Sequence, residues 1–170
     1  MGIVFAQRQG RAMASTLKPK SGELAGTART VLDRKGWGVF TIGPDASVYD
    51  AIAMMDEHKI GALFVVEDSR LVGVFSERDY ARKVILQDRA SKQTRVRDVM
   101  TTPVIYVEAS TPLAECMRLI DHERVRHLPV MEAGKLVGVV SIGDVVRTII
   151  AQQAETIENL HTMITDPYPG

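Results

Sequence analysis

Apolar residues recur at helical spacing in Val48, Ile52 and Met55, and again in Leu113, Met117 and Ile120. Each helical stretch is followed by two short β-branched runs. In the first copy, Ala62 to Val66 and Leu71 to Phe75 flank the polar turn Glu67-Asp68-Ser69-Arg70, and the second copy turns at Ala133-Gly134-Lys135. These runs read as strand pairs. A second helix is expected to open near Ser76 and near Ser141, running through Tyr80 to Leu86 and through Val145 to Ile150. A first strand precedes each unit, at Val104 to Val107 in the second, so the pattern is β-α-β-β-α.

The two units are one sequence written twice. Leu71-Val72-Gly73-Val74 falls on Leu136-Val137-Gly138-Val139 at an offset of 65 residues. The same offset carries Asp56 to Asp121, Leu63 to Leu128, Val65 to Val130, Ser76 to Ser141, Asp79 to Asp144 and Arg82 to Arg147 without a gap. One unit of about 50 residues buries too little surface to be stable alone. The predicted fold is therefore α/β (α+β), with the two units packed sheet against sheet about a pseudo-twofold axis as one module.

The expected organisation is an N-terminal arm at 1–29, a first repeat at 30–88, a linker at 89–100, a second repeat at 101–150, and a C-terminal helix and tail at 151–170. Residues 7–29 lack hydrophobic periodicity and read as an arm ordered by neighbouring subunits. Ile157, Leu160 and Ile164, at i, i+3 and i+7, predict a terminal helix covering the body or a partner, ended by Pro167 and Pro169.

Composition narrows the function classes. A hydrophobic share of 45% with 25% charged residues argues against disorder and against a membrane span. Lys plus Arg equals Asp plus Glu at 21 each, so no basic field exists to draw nucleic acid. Cys116 is the single cysteine and cannot form an internal disulfide. The apolar run Ile3 to Ala6 is shorter than a signal-peptide core, and Ala6 stands where myristoylation needs Ser or Thr. A cytoplasmic protein is the expectation.

Candidate chemistry lies in Gly73-Val74-Phe75-Ser76-Glu77-Arg78-Asp79 and its copy Gly138-Val139-Val140-Ser141-Ile142-Gly143-Asp144. Ser followed three residues later by Asp is a capping box that satisfies free amides at a helix start. A strand ending in such a turn also presents amides and a positive dipole end to phosphate, while the Asp can accept from both ribose hydroxyls. A cap and a site can coexist.

These motifs, together with Asp98-Val99-Met100-Thr101, Ser76-Glu77-Arg78-Asp79-Tyr80 and Arg126-His127-Leu128-Pro129-Val130, resemble the CBS (cystathionine-β-synthase-type) family over about residues 30–150, and in particular its stand-alone bacterial pairs. The resemblance implies a non-catalytic regulatory module that binds an adenine nucleotide (AMP, ADP, ATP or NAD) in two clefts, forms a homodimer and holds no metal. By that similarity one cleft combines Ser76, Arg78 and Asp79 with Thr111, Cys116, Val125 and Arg126. The other combines Ser141, Gly143 and Asp144 with Ala46, Ala51, Ile60 and Gly61, with Arg126 and His127 near the phosphates. Arg78 aligns with Gly143 and Thr111 with Ala46, so the first cleft is expected to bind more tightly. The rival readings are an oligomerisation module with empty clefts, whose Ser and Asp are only caps, and a non-catalytic regulatory subunit of a separate enzyme.

Other side chains have plainer expectations. His58, His122 and His161 lack metal partners at i+3 or i+4 and read as solvated surface. His127 is as consistent with a structural hydrogen bond as with a ligand contact. Cys116 reads as a buried, inert thiol, and Met54, Met55 and Met117 as core filling. In the basic stretch Arg78, Arg82, Lys83 and Arg89, only Arg78 stands out from a solvated helix surface. Trp37 either anchors the N-terminal arm or stacks on a base.

Overall fold

The computed structural model describes residues 25–165, the side chains of residues 159–165 excepted. The expectations for residues 1–24, for the Leu160, His161 and Ile164 side chains, and for Pro167 and Pro169 lie outside these described residues. Two sheets form, each with a parallel pair followed by an antiparallel pair. The first contains β1 (Thr41–Ile42), β2 (Ala62–Glu67) and β3 (Arg70–Ser76), with α2 (Val48–His58) between β1 and β2. The second contains β4 (Val107–Glu108), β5 (His127–Glu132) and β6 (Lys135–Ser141), with α4 (Leu113–His122) between β4 and β5. Helix α1 (Ala28–Lys35) precedes β1, helical segment α3 (77–87) follows β3, and α5 (Ile142–Thr165) follows β6. The β-α-β-β-α unit thus occurs twice, as the patterning predicts.

The duplication extends to the hydrogen-bond ladder. Ala62 opposes Ser76 and Leu63 opposes Phe75, while His127 opposes Ser141 and Leu128 opposes Val140. The register slips between Val65 and Val66 in one copy and between Val130 and Met131 in the other, the corresponding positions. Both hairpins turn on two residues of positive φ: Asp68 (48°) with Ser69 (63°), and Ala133 (48°) with Gly134 (75°). That turn matches the right-handed twist of the flanking strands.

Two boundaries differ from the sequence reading. The first strand of the second repeat covers Val107–Glu108, not Val104 to Val107. At Thr101 the chain is still bridged to Val74 of the first sheet, so it pairs with Val130 of the second only after crossing between them. The terminal helix is the same continuous helix as the second helix of repeat two, 24 residues in all. No Gly or Pro interrupts it after Gly143. Its counterpart α3 is irregular, passing from an α turn at Glu77–Asp79 through a π turn at Tyr80–Val84 to a 3-10 turn at Ile85–Gln87.

Each sheet packs its own core, and each core borrows from the chain leading into the other repeat. Val48, Met55, Leu63, Val65, Phe75 and Val84 are joined by Val96 and Val99, from the 3-10 turn Val96–Asp98 and the residue after it, which lead into the second repeat. Leu113, Cys116, Leu128, Val130, Val140 and Val145 are joined by Ala28, Val31 and Leu32 of α1, which leads into the first. The contact is close enough to require glycine on the facing strand. A Cβ at Gly138 would lie 2.7 Å from Leu32 Cδ2, and one at Gly73 would lie 2.9 Å from Met100 Cγ. Leu32 is wholly buried, so it must make room by shifting within a packed core. Gly138→Ala is therefore expected to destabilise the fold by about 1–3 kcal/mol through overpacking, read as a lower urea midpoint at unchanged m-value.

Candidate functional site

Strand β3 delivers Ser76 to the N-cap of α3, and β6 delivers Ser141 to the start of α5. Asp79 N–H donates to Ser76 Oγ at 3.2 Å, while Asp79 Oδ2 accepts from Ser76 N–H at 3.1 Å and Ser76 Oγ–H at 2.6 Å. In the second copy Asp144 N–H donates to Ser141 Oγ at 3.2 Å, and Asp144 Oδ2 accepts from Ser141 N–H at 2.9 Å. The capping geometry is therefore realised in both units, each holding a carboxylate at a helix start.

Neither carboxylate is left to its cap alone. Asp79 Oδ1 accepts from Thr101 Oγ1–H at 2.8 Å and from the Lys83 ammonium at 2.8 Å. Asp144 Oδ2 accepts from Lys35 Nζ at 2.8 Å and its Oδ1 from Arg147 Nη2 at 2.7 Å. Burial alone would raise both pKa values, but the donors outweigh it. Lys83, Ser76 and Thr101 hold Asp79 below the usual range, and Lys35 with Ser141 brings Asp144 down to about 2. Both side chains carry charge in a largely buried setting, the more strongly coupled being Asp144.

His127 lies across the ladder from Ser141 and is half-buried. Burial pushes its pKa down; Asp144 opposes this, while Lys35 and Arg126 add to it. Beside it an open cavity of about 780 Å³ is lined by Arg78, Val125 and Arg126, with Arg118, Arg124, Met117, Ile120, Ala114, Asp121 and Ile142. Arg118 is bound in two-pronged fashion by Glu115, at 2.7 and 2.6 Å. Among the described residues the guanidinium groups of Arg78, Arg124 and Arg126 make no hydrogen bond or ion pair. An apolar floor under three uncommitted guanidinium groups suits a ligand with a flat or apolar body and an anionic end.

The structure sorts the residues assigned to the first cleft. Arg78, Val125 and Arg126 meet in the cavity, whose wall does not include Ser76 or Asp79. Thr111 lies outside that wall: its Oγ1 accepts from Glu108 N–H at 3.1 Å, and its carbonyl accepts from Ala28 N–H at 2.8 Å. Cys116 is wholly buried in the second core, where burial pushes its thiol up to about 11, so it offers no surface to a ligand.

Of the second set, Ser141, Asp144 and His127 cluster, and Gly143 lies under Arg147, whose Nη1 would be 3.3 Å from a Cβ there. Ala51 is wholly buried, and Ala46 and Ile60 pack on the first core. The Gly61 carbonyl accepts from Glu77 N–H at 3.1 Å, at the start of α3. Ala51 and Cys116 are buried for one reason: each belongs to the apolar stripe that its helix turns towards its own sheet.

Four side chains that bond the two aspartates escaped the sequence reading of the site. Arg147 and Lys83 stand three and four residues after their aspartates, a spacing at which helix neighbours meet. Lys83 is thus a bonded group and not the plain solvated surface expected. Lys35 and Thr101 arrive from distant chain; Thr101 stands in a family motif, but neither residue's local sequence announces its bond to an aspartate. Elsewhere, Trp37 Nε1–H donates to Asp33 at 2.9 Å and its ring lies 5.3 Å from the Arg29 guanidinium, which fixes it to α1. His58 stacks on Phe40 with ring centroids 4.0 Å apart.

Two fused β-α-β-β-α units with a serine-aspartate turn in each define a paired-repeat module. The CBS domain family profile matches residues 34–85 and 96–151, and the chain belongs to that family as a tandem pair. It is 42% identical over 129 residues to the mitochondrial CBS domain-containing protein CBSX3 of Arabidopsis thaliana, which covers 73% of this chain and 63% of that protein. A solved CBS-domain protein from Burkholderia ambifaria MC40-6 is 49% identical with a TM-score of 0.72, over 75% of this chain and 96% of that one. CBSX2, solved in complex with AMP, is 34% identical with a TM-score of 0.58, over 68% and 90% of the two chains.

Proposed function

We propose that this chain is a regulatory module that takes an adenine nucleotide, AMP, ADP, ATP or NAD, between its two repeats and changes its own conformation or its association with a partner on doing so. The observation that carries this reading is the arginine-lined cavity, with an apolar floor, whose wall takes Arg78 and Ile142 from the helix starts that hold the capped aspartates; guanidinium groups would take the phosphate, the floor the base and the carboxylates the ribose hydroxyls. The AMP complex of CBSX2 supports it.

A panel of AMP, ADP, ATP and NAD tests the reading by thermal melting. Free ligand at about 100 times its dissociation constant, bound only by the folded state, raises stability by about 2.7 kcal/mol. Melting temperatures unmoved by every member would remove the reading. Arg126→Ala is expected to weaken AMP at least tenfold, as loss of a charge-assisted hydrogen bond of about 1.5–3 kcal/mol requires, and to leave adenosine binding nearly unchanged. Calorimetry with the two compounds separates phosphate recognition from a general loss of fold.

The rival of an oligomerisation module draws on a different observation. Ile142, Val146, Ile150 and Ile157 expose an apolar line along α5, and Ile85 and Leu86 are exposed on α3. A homodimer covering this surface fits both readings, and sedimentation velocity with and without AMP distinguishes a permanent dimer from one that the ligand shifts.

A further inference from the structure

A carboxylate offers about four acceptor positions. At Asp79 all four are taken: Oδ2 by Ser76 N–H and Oγ–H, and Oδ1 by Thr101 Oγ1–H and Lys83. At Asp144 three are taken, by Ser141 N–H, Lys35 and Arg147. A ribose diol brings two donors. Asp144 can accept the first outright and the second by releasing Arg147, whose side chain is 73% exposed and can turn to water. Asp79 can accept neither until a donor leaves.

The donor in the way is tied to more than Asp79. Lys83 Nζ also donates to Val99 O at 2.9 Å, Met100 O at 3.4 Å and Thr101 Oγ1 at 2.9 Å. Those residues continue from Val96 and Val99, which fill the first core, and Thr101 exchanges backbone hydrogen bonds of 2.8 and 3.1 Å with Val74 on β3. Lys83 thus joins α3, the inter-repeat segment and the carboxylate in one clasp.

We propose that Lys83 is an internal competitor for Asp79, a latch that makes the Asp144 cleft load first and couples loading of the Asp79 cleft to release of the Val99 and Met100 carbonyls and the Thr101 hydroxyl. This rests on the nucleotide reading above and reverses the order of affinities expected from the sequence. A ribose that takes Asp79 displaces the ammonium, and the linker carbonyls lose their donor in the same event. The second occupancy, and not the first, is then the one that alters the joint between the repeats.

The test is calorimetric titration of AMP into the full chain and into Lys83→Met, Thr101→Val and Asp144→Asn, with hydrogen exchange read at residues 99–101. The natural chain should show one tighter and one weaker site. Lys83→Met should strengthen the weaker site at least about tenfold, the scale of one displaced charge-assisted bond, and leave the tighter one unchanged. Asp144→Asn should abolish the tighter site alone. Amide exchange at 99–101 should quicken only as the weaker site of the natural chain fills, and should already be fast in Lys83→Met.

If Lys83→Met does not fold, Thr101→Val, which frees one acceptor position without removing the ammonium, should still strengthen the weaker site. AMP binding whose weaker site neither variant strengthens would overturn the latch alone. Binding of AMP, ADP, ATP and NAD to none of the four proteins would overturn the nucleotide reading, and the latch with it.

Discussion

Replacing Leu32 by alanine is expected to lower the unfolding free energy by about 2–5 kcal/mol, the range for emptying a fully buried leucine site. Leu32 is wholly buried in the core of the second repeat, against Gly138, although it precedes the first repeat in the chain. Were α1 only a surface arm, the change would stay within about 0.5 kcal/mol. Urea unfolding measures the loss. Cys116, wholly buried in the same core, gives a local readout: its thiol should become reactive towards a disulfide reagent faster in Leu32→Ala than in the natural chain.

The second large effect is acid lability through Asp144. Its folded pKa, about 2, is depressed from 3.8, so at neutral pH the folded state holds the charged form more favourably than the unfolded chain does. The resulting stabilisation is fully present above the unfolded pKa and is lost as pH falls through the window from about 4 to about 2. At about 1.4 kcal/mol per pKa unit it amounts to about 2 kcal/mol. Asp144→Asn should therefore be the less stable protein at pH 7, and the two stability curves should converge near pH 2. A difference that persists undiminished at pH 2 would mean that packing or capping, and not the charge coupling with Lys35, sets the effect.

Much of the architecture was legible because its signals are local. Helical spacing in Val48, Ile52 and Met55, the β-branched runs, and the polar turns are properties of neighbouring residues, and the 65-residue offset needs no structure to be seen. The serine-aspartate caps were legible for the same reason. What stayed hidden is tertiary choice. The apolar residues Val31, Leu32, Val96 and Val99 look the same whichever repeat they enter, so the sequence does not tell which core they fill.

The site shows the same division. Asp79 and Asp144 could be picked out by motif, but Lys35 and Thr101 reach them only because the segments leading into each repeat fold in from elsewhere. Ala51 and Cys116 were placed at the cleft by family likeness, while the apolar stripes of α2 and α4 already marked them as interior.

The exchange of lead-in segments has a consequence for a severed chain. A cut between residues 88 and 96 would leave one piece carrying α1, the plug for the other piece's interior, while that other piece keeps Val96 and Val99, the plug for the first. Neither fragment is then a finished half. Each holds the missing part of its sibling, so a nicked protein stays clasped together, and fragments made separately reconstitute one another by mutual insertion.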